Sequence, residues 1–271
     1  MNVDFSLFRK TRLIWKKRSP IQTVYVYQKG SVRYMRFASE SWQGALDMKN
    51  KEKLLFPYQR FFLAYRAWMP NVRSFLSLGV GTGTAIRSIR RLHPDARIVG
   101  VDLDEAVLEA AVKYFECPCD QQTELHAMHG RAFLESTAER FDLVFLDTYD
   151  SFSIPKSMRT VQSFQSIYQV LQENGLLVVN VIGTLKGPMD SPFKTTLKTV
   201  QEVFPDVWVL PVSRWSRFEQ NILLIARKRK PGDFLSDVPV HEDSLSPEVA
   251  KLVHQIYSES IPTEDIQAEY D

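Results

Sequence analysis

Cysteine is scarce in this chain: two among 271 residues, Cys117 and Cys119, separated by one proline. Thiols that close cannot staple a fold, and no second Cys/His cluster completes a zinc site, so the pair reads as a surface turn and no metal is expected. Apolar runs are short as well. None approaches the eighteen residues of a membrane-spanning helix, and no signal-peptide pattern opens the chain. These absences lead to the expectation of a soluble protein of a reducing cytoplasm, with no membrane partner. Charge of one sign is also lacking, because 34 Lys and Arg face 32 Asp and Glu. The basic excess gathers in Arg9, Lys10, Arg12, Lys16, Lys17 and Arg18, which read as a solvated arm without the geometry of a nucleic-acid binder. Internal repeats and low-complexity tracts are missing. With 44% hydrophobic and 24% charged residues, the chain has the composition of a globular protein rather than a disordered one.

What is present is an ordered alternation of patterns. Residues 23–28 are β-branched and aromatic, Lys29-Gly30 is a turn signal, and 31–37 alternate, which predicts a β-hairpin followed by a short strand near Ala45-Leu46. So small a segment needs a neighbour to pack on. From Pro57 the period becomes helical: Tyr58, Phe61, Phe62, Tyr65 and Trp68 recur at steps of three and four, up to Pro70. Strand and helix patterns then alternate, with strands at 74–78, 97–101, 124–128, 142–146 and 176–181. Helices are expected at 85–92, 105–114, 131–136, 161–171 and 193–203, the fourth closed by Asn174-Gly175 as its C-cap. A late hairpin pairs 207–210 with 221–226. Repeated βα units of this kind predict an α/β fold, a doubly wound and mostly parallel sheet with an antiparallel edge. The expected division is a β-hairpin subdomain at 1–50, a cofactor-binding domain at 51–230, and an appendage at 231–271 docked by a helix over 247–257.

Two constellations carry chemistry. Gly79-Val80-Gly81-Thr82-Gly83-Thr84 lies directly between a strand and a helix, where glycines let the backbone turn tightly and the helix start offers unpaired N–H groups. The next strand ends in Asp102, spaced to bind both hydroxyls of a ribose. A dinucleotide fingerprint wants glycine where Thr84 stands, so G-x-G-x-G favours an adenosyl ligand and resembles the first motif of class I S-adenosylmethionine enzymes. The second constellation is Asp147-Thr148-Tyr149-Asp150, at the carboxyl end of the strand 142–146, where ligands of doubly wound sheets sit. Two carboxylates three residues apart can bind an ammonium group and take a proton from it. Asp150 reads equally well as a turn cap.

The order of these motifs resembles the polyamine aminopropyltransferases, the spermidine synthase family, and within it a divergent bacterial branch called spermidine synthase-like. Ser19-Pro20-Ile21-Gln22 resembles that family's entry to its β-hairpin domain, and Pro57-Tyr58-Gln59-Arg60 resembles its Y-[HQ]-E segment. Ser41 to Asp47 and Ser153-Ile154-Pro155 match the divergent branch. The resemblance covers 19–227 and is densest over 75–181. It implies a Rossmann-like sheet of class I methyltransferase type and transfer of an aminopropyl group from decarboxylated S-adenosylmethionine to an amine. It further implies a nucleoside along Gly79, Gly81, Thr82 and Gly83, its ribose on Asp102 and its adenine near His129 and Gly130. Asp147 would deprotonate the attacking amine, Asp150 would hold it, Tyr58 would shape its channel, and Gln22 and Gln59 would reach the donor side. A homodimer is compatible with paired hairpins.

Three departures stand out. Thr82 replaces the aspartate of the family's G-G-G-D-G-G loop, His129-Gly130-Arg131 replaces an acid near the adenine, and Arg60 replaces a glutamate. Gaining a base near an amine pocket disfavours a polycation. Three functions therefore stay open: aminopropyl transfer, methyl transfer from S-adenosylmethionine, and non-catalytic nucleoside binding. His129 is either an adenine partner or a satisfied loop histidine.

Overall fold

The computed structural model describes residues 10–37, 42–150, 153–229 and 245–271. Two sheets organise them. The smaller is antiparallel in the order β1-β2-β3-β4, from β1 (Arg12–Arg18), β2 (Thr23–Lys29), β3 (Val32–Arg36) and β4 (Trp42–Asp47). The basic residues 12–18, expected as a solvated arm, are therefore an edge strand: Leu13, Trp15, Lys16 and Lys17 pair with β2, and the Lys17 ammonium meets Glu109 at 2.6 Å. Arg9 lies outside the described residues. Alternation drives one face inward, so that Val24, Val26, Met35 and Leu46 bury themselves against Ala106, Val107, Ala110 and Phe115. Those four residues belong to the helix α3 (Glu105–Phe115). The hairpin sheet thus lacks a core of its own and shares one with the α/β unit through α3.

The larger sheet has seven strands. They are β5 (Ser74–Leu78), β6 (Arg97–Asp102), β7 (Thr123–Ala127), β8 (Phe141–Leu146), β9 (Leu171–Gly183), β10 (Asp206–Pro211) and β11 (Gln220–Arg227), in the spatial order β10-β11-β9-β8-β5-β6-β7. The chain runs outward from β5 through β6 to β7, then returns to β8 on the other side of β5. This reversal opens a crevice at the carboxyl ends of β5 and β8. Pairing is parallel from β9 to β7, while β11 runs antiparallel to both β9 and β10. Near-continuous burial along β5, β6, β8 and β9 reflects helices on both faces. These are α1 (Pro57–Phe62), α2 (Thr84–Leu92), α3, α4 (Gly130–Ser136), α5 (Lys156–Arg159), α6 (Val161–Val170) and α7 (Ser191–Gln201), with α8 (Pro247–Val253) packed on the 3-10 turn that follows α1.

Two local expectations fail for stated reasons. Asn174-Gly175 do not cap the 161–171 helix. That helix ends at Val170, Leu171 is already extended, and the Lys228 ammonium meets the carbonyls of Tyr168 and Leu171 at 3.1 and 2.8 Å. The left-handed Asn174 (φ 63) instead sits in a bulge, where pairing jumps from Phe141–Leu171 to Leu143–Leu176. Cys117 is not at the surface either: it is 4% exposed, burial pushes its thiol up to about 12, and only Cys119 is exposed.

Candidate active site

One cavity of about 810 Å³ occupies the crevice, lined from both sheets. Its first half is made by chain neighbours. β5 is followed by Gly79 (φ 90), where an added Cβ would collide with the carbonyl of Asp147, so only glycine lets this turn lie against the β8 loop. The backbone N–H groups of Val80 and Gly81 donate to Asp102 Oδ2 at 3.0 and 3.3 Å, and that of Asp104 to Oδ1 at 3.1 Å. Burial nevertheless raises the Asp102 pKa above the usual carboxylate range, against these three bonds. A carboxylate offers about four lone-pair sites, so Asp102 keeps room for a hydroxyl.

Thr82, 3% exposed, faces the cavity, its hydroxyl 3.2 Å from that of Thr84. Behind them the Arg87 guanidinium donates to Thr84 Oγ1 and to the carbonyls of Thr82 and Phe115. Gly83 does not line the cavity. Its φ is 72, and a Cβ there would lie 2.5 Å from Cys117 Sγ, so this glycine serves close packing. Gln22 borders the cavity from the β1–β2 turn, which is pinned to α3 by Ser19 Oγ donating to Asp104 Oδ2 at 2.8 Å.

The second half is assembled from distant segments. Asp147 follows β8. Its Oδ2 accepts from the Tyr58 hydroxyl at 3.2 Å, and its Oδ1 accepts from Asn180 Nδ2 at 2.8 Å. Asn180 is 2% exposed within β9 and is itself held: Asn221 Nδ2 donates to its Oδ1 at 3.0 Å, and the Tyr149 hydroxyl donates to its carbonyl at 2.6 Å. Burial raises the Asp147 pKa, the amide and the phenol opposing. Tyr58 is pushed well above its ordinary value by burial and then by the Asp147 charge, so it stays a phenol and a donor. A half-buried carboxylate with two fixed donors is oriented, and its remaining lone pairs can accept a proton from a group in the cavity.

Most expected residues converge on this cavity: Gln22, Tyr58, Gln59, Gly79, Gly81, Thr82, Asp102, His129, Gly130, Asp147 and Asp150 all line it. Some have narrower duties. Gln59 Oε1 accepts from the Phe56 N–H at 3.2 Å and so closes the start of α1. His129 caps α4: its Nδ1 accepts from the Arg131 N–H at 3.1 Å and its Nε2 lies 3.0 Å from Ser157 Oγ, so both ring nitrogens are engaged. His129 thus holds its loop and lines the cavity at once. Asp150 is exposed at the rim and accepts from the Ser153 N–H at 3.3 Å, a turn cap that also faces the cavity. Arg60 is exposed and does not line the cavity, so it adds no base to the pocket. Asn180 and Asn221 were missed. An amide inside the apolar run of β9, one residue past the level where β8 ends, was the available signal.

Residues 64–213 match the family profile described as spermine/spermidine synthase domain. A probable polyamine aminopropyl transferase of Bifidobacterium longum (strain NCC 2705) is 30% identical over 158 residues, 58% of this chain and 35% of that protein. A polyamine aminopropyltransferase of Vibrio vulnificus (strain CMCP6) is 24% identical over 189 residues, 67% of this chain and 63% of that protein. The matches thus span from about a third to just under two thirds of these curated relatives. Among solved structures, a probable spermidine synthase from Corynebacterium glutamicum ATCC 13032 superposes with a TM-score of 0.76 over 96% of this chain and 97% of that one. At 18% identity this likeness speaks for the fold alone.

Proposed function

Because the chain belongs to the spermine/spermidine synthase family, we propose that it transfers an aminopropyl group from a decarboxylated S-adenosylmethionine-type donor to an amine acceptor. The observation that carries this reading is the meeting of two halves in one cavity: the glycine loop with Asp102, and Asp147 between Tyr58 and Asn180. The donor's ribose would hydrogen-bond to Asp102 while its adenosyl body lies along Gly79 and Gly81. An ammonium ion has no lone pair, so the acceptor must lose a proton before it attacks; Asp147 is the group positioned to take it. The amine nitrogen then bonds to the aminopropyl carbon next to sulfur. That carbon–sulfur bond breaks, and the sulfonium leaves as a neutral thioether. Asp150, at the rim, would hold the acceptor's ammonium form as it enters.

Methyl transfer from intact S-adenosylmethionine has one observation in its favour. The Thr82 and Thr84 hydroxyls are backed by the half-buried Arg87 guanidinium, which suits a carboxylate better than a lone ammonium. A cytoplasmic setting is part of the proposal, supported by two free thiols. So is a homodimer through the small sheet, supported by exposed Leu13 and Trp42.

Calorimetry with S-adenosylmethionine, its decarboxylated form and methylthioadenosine tests the donor. The proposal expects the decarboxylated form to bind more tightly than the carboxylated one. The reverse order favours methyl transfer, and no binding by any of the three leaves a non-enzymatic relative.

A further inference from the structure

The cavity wall that carries Asp150, Pro155 and Met158 leans on α5, a helix of four residues with Pro155 at its N-cap and no side-chain cap. One turn cannot hold itself, since nucleation costs more than so few bonds return. Its shape must come from ties made elsewhere. Met158 is buried, and Arg159, its last residue, makes several ties at once. Arg159 Nη1 donates to the carbonyl of Ile154 at 2.9 Å and to Ser153 Oγ at 3.2 Å. Ser153 in turn brackets Asp150, its N–H donating to Asp150 Oδ1 at 3.3 Å and its carbonyl accepting from the Asp150 N–H at 3.1 Å.

The other side of the same guanidinium grips Glu269, 110 residues downstream. Nε meets Oε2 at 2.6 Å and Nη2 meets Oε1 at 3.3 Å, a two-pronged pair with the side chains 30% and 20% exposed. Partial burial and paired geometry lift such a bridge above the usual surface ion pair. Glu269 is anchored in its own right: its N–H donates to Thr199 Oγ1 at 3.0 Å, and its carbonyl accepts from the Val161 N–H at 2.8 Å. Asp271 adds bonds to Thr160 and Arg131.

We propose that Arg159 and Glu269 are positioning residues of the acceptor site, a clip through which the strap at 269–271 sets the placement of Asp150. This rests on reading Asp150 as the group that holds the acceptor amine. The clip's own bonds reach neither the glycine loop nor Asp102, and α5 meets the adenine side through Ser157 at His129 and Met158 at Gly130.

The test uses the full chain carrying Glu269→Gln, with Arg159→Lys as a second variant that keeps the charge and loses the fork. Three quantities are measured: the KM for putrescine, the donor affinity by calorimetry, and hydrogen exchange over 153–159. The expected result is a KM about tenfold higher, donor affinity within about twofold of the parent, and exchange about tenfold faster in that segment alone. Unchanged exchange in both variants overturns the clip. Faster exchange with unchanged KM overturns its link to the acceptor, and an equal loss of donor and acceptor affinity reduces it to general stability. Should the parent transfer to none of a panel of di- and polyamines that includes putrescine, the proposed function falls, while the exchange result still decides whether the clip exists.

Discussion

Gly79, Gly81 and Asp102 come from a single strand–loop–helix–strand unit, and their contacts are backbone N–H groups that any sequence with that turn would present. Asp147, Tyr58, Asn180 and Asn221 come from four separate segments between residues 58 and 221, and their contacts are side chain to side chain. The donor half is thus fixed by local geometry. The acceptor half is fixed by tertiary packing, so single substitutions there act on the orientation and proton affinity of one carboxylate rather than on the loop. The halves meet where β5 and β8 end side by side: the Asp147 N–H donates to the Leu78 carbonyl at 2.8 Å, and Gly79 lies against the Asp147 carbonyl.

The largest expected effect falls on the acceptor half alone. Asp147→Asn should lower kcat by ~10³-fold, the mid-range for losing a general base, while calorimetric donor affinity stays close to the parent. It should also raise the melting midpoint at neutral pH. Burial lifts the Asp147 pKa above its unfolded value, so its stabilising contribution is complete below the unfolded pKa and is lost as pH rises through the folded one. An amide in its place has no charge to bury. Asp102→Asn should do the opposite kinetically, weakening donor binding by ~10- to 100-fold through loss of charge-assisted hydrogen bonds to the ribose, with the effect read by calorimetry.

Gly79→Ala would break the separation, because its Cβ presses on Asp147 from within the donor loop. Overpacking of this kind costs ~1–3 kcal/mol, so the melting midpoint should fall and both donor affinity and kcat should suffer. If only donor affinity falls, the halves are less connected than their contact implies.

Smaller effects belong to the amides. Asn180→Ala should lower kcat/KM by ~10-fold at neutral pH, since the amide both orients the base and favours its ionised form. The sign of its pH effect follows. Activity requires ionised Asp147 and is lost as pH falls through the folded pKa. Removing the bond that lowers this pKa must move the acid limb of the kcat/KM profile to higher pH. Asn221→Ala, one bond further away, should shift the same limb less.

The donor half was legible in the sequence because its signals are local: glycines, strand, helix and acid in order. The strands of the large sheet were legible for the same reason. Lys16, Lys17 and Arg18 hid a strand, since three consecutive cations carry no apolar alternation even though exposure alternates over Trp15 to Arg18. Asn174-Gly175 carried a turn signal that was real but was used inside a strand rather than at a helix end. Gly83 belonged to the right loop yet answers to Cys117, a partner that appears only once α3 is folded back. Asn180, Asn221 and the Arg159–Glu269 clip depend on register and long-range packing, for which single residues give no spacing rule. Asp147 was visible from its place at a strand's carboxyl end, the channel role of Tyr58 came from the family resemblance, and their mutual hydrogen bond appears only in the fold.

Product analysis after incubation with decarboxylated S-adenosylmethionine and a panel of amines that includes putrescine tests the central claim most directly. The account predicts methylthioadenosine and an aminopropylated amine in equal amounts, both falling by ~10³-fold with Asp147→Asn. Absence of both products from the parent protein, or full activity in the Asp147→Asn variant, would contradict it.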